Sequence, residues 1–229
     1  SPLANRRTDQ WGGNLENRAR LLRRIVQGVR AAVGPAYPIS VKLNSSDFQQ
    51  GGFDLEDCLQ VVKWLEEDSV DLLEISGGNY ENPAMMIGTR GKDEIRDSTI
   101  AREAYFLEYA KSIRAATKIP LMVTGGFRSR VAMDAALQSG DVDIIGIGRP
   151  LCVDPDAPNH LLTSPAAGAV AYEQNISPSK AALGWFCLNI IRLADGKEAD
   201  PDMTGEEAIT AYLENEEKTA AAMKNVNLN

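Results

Sequence analysis

Apolar residues recur at three- and four-residue intervals after Asn14, at Leu15, Ala19, Leu22, Ile25, Val26 and Val29, and the run stops at Gly34-Pro35. This spacing predicts an amphipathic helix: Asn14 can cap its first turn, and a Gly-Pro pair cannot continue it. The period then changes. Ile39 to Leu43 is a short apolar run of strand type, after which Gly51-Gly52 leads to Asp54, a second N-cap. Cys58, Leu59, Val62 and Leu65 follow along one helical face, and Val70 to Ser76 reads as a second strand. A helix at about 101 to 116, a strand from Pro120 to Thr124, a helix from Ser129 to Gln138 and a strand from Val142 to Ile147 repeat the unit.

Four strands rich in Val, Ile and Leu, each flanked by helices, predict a parallel α/β sheet. Periodicity leaves two closures open, an open doubly wound sheet or an arc of a (β/α)8 barrel, and both place ligand at the carboxyl ends of the strands. After Pro150 the pattern alters to an Ala/Ser/Pro-rich stretch reaching about residue 180. An apolar helix around GWFCLNIIRL and an acidic helix from about 204 to 224 follow, and 151 to 229 is expected to form an appendage without a core strand. Residues 77 to 98, with Tyr80, Met85, Met86 and Arg90, show no period. A connection longer than about 15 residues is usually functional or disordered.

Composition narrows the classes. With 44% hydrophobic residues over 229 positions the chain can build a core. No apolar run approaches the roughly 18 residues of a membrane span, and no secretory leader is visible, so an intracellular, cytoplasmic setting without membrane contact is the expectation. A net charge of -8 argues against nucleic acid as a partner. The charge is uneven: residues 1 to 30 carry seven Arg against Asp9 and Glu16, whereas 195 to 229 carry nine acids against three Lys. The basic start reads as a solvated helix face rather than a phosphate strip. Cys58, Cys152 and Cys187 are far apart and lack metal-ligand spacing, and His160 is the single histidine, so structural thiols and no metal site are expected.

Chemistry concentrates at the strand ends. ISGGN, VTGGF and GIGRP each put glycine just past a strand, where backbone N–H groups can approach an anion closely. Gly125, Gly126 and Gly148 could donate such hydrogen bonds and Arg149 could add a charge-assisted fork to a phosphate. The alternative is that these glycines only make tight turns and Arg149 pairs with a neighbouring acid such as Asp154. Lys42 stands inside the apolar run SVKLN, either facing ligand or pointing outward at an edge.

SPLANRRTDQWGGNLENRARLL, VKLNSSDF, GGF and GIGRPLCVDPD resemble the Old Yellow Enzyme family of NADH:flavin oxidoreductases, and the region from GWFC to the tail resembles a fungal-type branch. The likeness covers essentially the whole chain. It implies that the four strands are the last four of a flavin-binding TIM (β/α)8 barrel, with 1 to 150 holding strands five to eight and 151 to 229 a C-terminal helical extension. It further implies that the first four strands lie outside this sequence.

By the same resemblance FMN is the cofactor and NAD(P)H the reductant, with hydride passing to the β-carbon of an activated alkene. Lys42 matches the basic residue beside the flavin pyrimidine ring, where it stabilises negative charge near N1 of the reduced form. Gly125, Gly126, Gly148 and Arg149 match the phosphate-holding positions, with Phe127 and Ile147 as nearby contacts. The family's substrate-orienting His pair or His/Asn, its Tyr proton donor and its flavin-tuning Thr or Cys belong to the other half. No catalytic residue is therefore assigned, and His160, Tyr80 and Cys152 are not substitutes. The expected partners are a small activated alkene and the amino-terminal half of the barrel or a second chain, with a homo-oligomer also open. A non-catalytic FMN- or phosphate-binding half-barrel is the alternative.

Overall fold

The computed structural model describes residues 1–77, 107–164 and 168–224. Its elements in order are α1 (Leu15–Val33), β1 (Ser40–Asn44), α2 (Leu55–Glu67), β2 (Leu72–Ser76), α3 (107–114), β3 (Leu121–Thr124), α4 (Arg130–Gln138), β4 (Ile144–Gly146), α5 (Ala157–Thr163), α6 (Ala182–Ala194) and α7 (Gly205–Lys224). They divide into two compact units. The first contains α1 to β4 except residues 128–130, and the second contains 128–130 and everything from 147 onward. In the aperiodic connection 77 to 98, Tyr80, Met85, Met86 and Arg90 lie outside the described residues.

In the first unit the four strands form one sheet in the order β1-β2-β3-β4, every pair parallel. Alternation along each strand sends Val41, Leu73, Ile75, Leu121 and Val123 into a single core with Val26 of α1, Val62 and Leu65 of α2 and Ile113 of α3. The opposite face carries a row in register across all four strands, Lys42, Glu74, Met122 and Ile144. Both expected N-caps form: Asn14 accepts from the Asn17 amide and Asp54 from the Asp57 amide.

Two expectations for α1 are corrected. Ala19 and Val26 are buried, but Ile25 and Val29 join Leu21 and Val33 in an exposed apolar stripe of four-residue spacing. The apolar surface of α1 is thus wider than the face its sheet covers. Its arginines, read as a solvated face, instead tie elements together. Arg18 reaches Asp57 at 3.0 Å, Arg23 reaches Asp68 at 2.7 Å, and Arg30 donates to the Ser69 carbonyl at 2.7 Å and pairs with Asp71. Their side chains are only 10–23% exposed.

The second unit has its own core of Trp185, Phe186, Val153, Ile176, Ala181 and Ala208. Trp185 anchors it, donating from Nε1 to the Met203 carbonyl at 2.8 Å and stacking on Tyr172 with ring centroids 5.7 Å apart. Thr204 and Glu207 cap α7 reciprocally. Helix α5 was not legible in the Ala/Ser/Pro-rich stretch.

Candidate functional site

β1 is placed by Val41 and Leu43, which pack toward the helices, so pleating turns Lys42 to the other face. There its Nζ donates to Glu74 Oε1 at 2.8 Å, across the register pair that joins β1 to β2. Partial burial opposes ionisation of Glu74, but the Lys42 ammonium and the Thr124 hydroxyl outweigh it and hold the carboxyl below its ordinary range. Lys42 therefore carries a counter-charge that its own strand gave no sign of.

The end of β3 turns through two glycines in the left-handed region, Gly125 at φ 136° and Gly126 at φ 80°, which side chains with a Cβ rarely adopt. At the facing end of β4 a Cβ on Gly146 would lie 2.0 Å from Thr124 Oγ1, so the register itself demands glycine there. Phe127 is 2% exposed, its ring spent in the core of the first unit. These residues and Lys42 belong to the first unit.

Ile147, Gly148 and Arg149 belong to the second unit. Ile147 is half-buried, and the side of Gly148 where a Cβ would stand meets no atom within 4 Å. Arg149 opens a 3-10 turn, Arg149–Cys152, and its Nη1 donates to Glu173 Oε1 at 2.7 Å. Arg128 donates from Nη2 to the same oxygen at 2.6 Å. Arg149 thus pairs with an acid, although not Asp154, whose carboxylate accepts from His160 Nδ1 at 2.9 Å. His160 is exposed, and Asp156 lies 3.4 Å from its Nε2.

Sequence reasoning missed Glu74, Arg128 and Glu173. An acid inside the apolar run LLEIS was a signal of the same kind as Lys42. Nothing local marks Glu173, because its partners lie 45 and 24 residues away. Cys58 is buried, and burial followed by the Asp57 charge pushes its thiol up to about 12, which makes it unreactive at neutral pH. Among the described residues no cluster of metal-ligating side chains and no helix able to cross a membrane is present.

A four-stranded parallel sheet whose strands follow one another in sequence, with helices on one face, defines an α/β protein. Comparison with known proteins sharpens this. The model of the NADH:flavin oxidoreductase / NADH oxidase family matches residues 1–164, and the chain belongs to that family. It is 38% identical over 168 residues to the NADH-dependent flavin oxidoreductase iliE of Neonectria sp., covering 72% of this chain and 22% of that protein. With the NADH-dependent flavin oxidoreductase nadA of Aspergillus parasiticus the identity is 31% over 215 residues, covering 92% and 46%. The chain thus spans less than half the length of these curated relatives. A solved 2-naphthoyl-CoA reductase, in complex with 2-naphthoyl-CoA, superimposes with a TM-score of 0.62 at 31% identity, covering 75% of this chain and 25% of that one. The sheet accordingly corresponds to an arc of a TIM barrel.

Membership implies FMN as cofactor and NAD(P)H as reductant. In the second unit, Gly148 leaves open space where a Cβ would stand and the Arg149 side chain, 36% exposed, donates to the Glu173 carboxylate, a partner chemically akin to a phosphate oxygen.

Proposed function

We propose that this chain supplies the phosphate-binding side and one flavin-facing charge of an FMN-dependent oxidoreductase of the Old Yellow Enzyme type, which uses NAD(P)H to reduce activated C=C bonds. The observation that carries this reading is the face of the sheet opposite its helices, where a charged pair, Lys42 and Glu74, stands in register with Met122 and Ile144. The Lys42 side chain is 56% exposed, so the pair costs little desolvation and leaves the ammonium within reach of a ligand on that face. FMN, when bound, supplies hydride transfer to the alkene.

The residues assigned to its phosphate are Gly125, Gly126, Gly148 and Arg149, the glycines through backbone N–H groups and Arg149 through its guanidinium. Lys42 holds positive charge on the flavin side of the sheet, with Glu74 fixing its ammonium. The groups that orient an alkene and deliver its proton are assigned to strands outside this chain. Replacing Arg149 by Ala should weaken FMN binding by about 1.5–3 kcal/mol, the scale of a hydrogen bond to a charged group. Flavin fluorescence titration of the full-length protein measures this, and unchanged affinity removes the phosphate assignment.

A second reading, a non-catalytic FMN- or phosphate-binding half-barrel that assembles with another chain, is favoured by the exposed stripe of Leu21, Ile25, Val29 and Val33 on α1. Substrate-dependent NADPH oxidation by the assembled protein separates the two readings.

A further inference from the structure

We infer that Glu173 is a positioning residue for the flavin phosphate: its carboxylate, supplied by the helical extension, holds Arg128 and Arg149 on a single oxygen and so fixes the guanidinium that meets the phosphate. This rests on the assignment of Arg149 to the phosphate and deepens it. The two donors reach Glu173 Oε1 at 2.6 and 2.7 Å, both short enough for charge-assisted bonds. Glu173 Oε2 is buried and has no partner among the described residues, so the acid makes its charged contacts through one atom only.

The acid is itself held in place. It sits in the Tyr172–Gln174 turn, and Tyr172 stacks on Trp185, a side chain 1% exposed at the centre of the second unit's core. The backbone of Arg128 is fixed from the same side, since the Ala169 amide donates to its carbonyl at 2.6 Å and Ser129 bridges to Gly168. The 3-10 turn that begins with Arg149 packs against α6. One rigid core therefore positions both arginines and the acid between them. An arginine on a flexible stem loses rotamer entropy when it binds an anion, and prior fixation lowers that cost.

The sign of the effect is what makes the idea testable. A carboxylate beside a phosphate repels it, so a merely competing acid would weaken FMN binding and its removal would strengthen it. A positioning acid does the reverse. The measurement is FMN and riboflavin affinity of the full-length protein by fluorescence titration, since riboflavin lacks the phosphate. Glu173→Gln, which keeps size and one acceptor, should lower FMN affinity about tenfold, the scale of one charged hydrogen bond, and leave riboflavin affinity unchanged. Glu173→Asp should recover part of the loss. Tighter or unchanged FMN binding in Glu173→Gln overturns the inference, as does an equal loss for FMN and riboflavin, which marks a structural role. If Glu173→Gln behaves so while Arg149→Ala still loses the preference for FMN over riboflavin, only the role of Glu173 falls. If Arg149→Ala keeps that preference, the phosphate assignment falls and takes this inference with it.

Discussion

Lys42 and Glu74 give the residue scale its sharpest consequence. A positive charge near the flavin favours the anionic reduced form, and a carboxylate 2.8 Å from that charge offsets part of the effect. Lys42→Met should therefore lower the flavin reduction potential, whereas Glu74→Gln, which removes the counter-charge and keeps Lys42, should raise it. Redox titration of the two holoproteins measures both directions, and shifts of the same sign in both would remove the electrostatic account. Lys42 was visible in the sequence because a lysine in an apolar strand stands out alone. Its partner was equally anomalous, but the pairing depends on the register of two strands 32 residues apart. Phe127, which the resemblance offers as a nearby flavin contact, packs in the core of the first unit.

At the scale of elements, α1 is fastened to its neighbours by its arginines. Arg23 meets Asp68 through Nε at 2.7 Å and Nη2 at 3.0 Å, and Gln27 adds a third donor at 2.7 Å. Burial opposes the charge on Asp68, yet Arg23 and Gln27 together hold its carboxyl below the ordinary range. A depressed native value means that this stabilisation is complete above the unfolded carboxyl's pKa of about 3.9 and is lost as pH falls through the lower native value. Asp68→Asn should cost about 1–3 kcal/mol at neutral pH, the penalty for stranding a hydrogen-bonded charge partner. Its denaturation curves should also lose less stability than the parent's between about pH 4 and pH 2, because one linked proton is gone. Helix and strand positions were legible because caps and periods are local, as Asn14 and Asp54 show. The face of α1 was less so: Ile25 and Val29 fit a core stripe by spacing, and only packing shows that the sheet covers a narrower band.

For the whole molecule, the parallel sheet has β1 and β4 as its outer strands among the described residues, and an unpaired strand edge promotes association. The isolated chain is expected to lack ene-reductase activity, because the roles proposed for it are phosphate contacts and one flavin-side charge, with no group assigned to orient an alkene. Mixing it with a separately prepared amino-terminal portion should give a yellow complex that consumes NADPH when an α,β-unsaturated ketone is added. Turnover by the chain alone would require catalytic residues among its own side chains. A parallel α/β sheet and a C-terminal appendage were readable from the periods, and the barrel closure only from the motif resemblance, whereas the grouping of residues 128–130 with the later unit was not legible. The strand order carries a further consequence, for the birth of the molecule. Each strand pairs with the one that follows it in sequence, β1 with β2, β2 with β3 and β3 with β4, so no early strand waits for a late one. A chain emerging from the ribosome can add its strands one at a time in the order of translation, each new one finding its template already laid down.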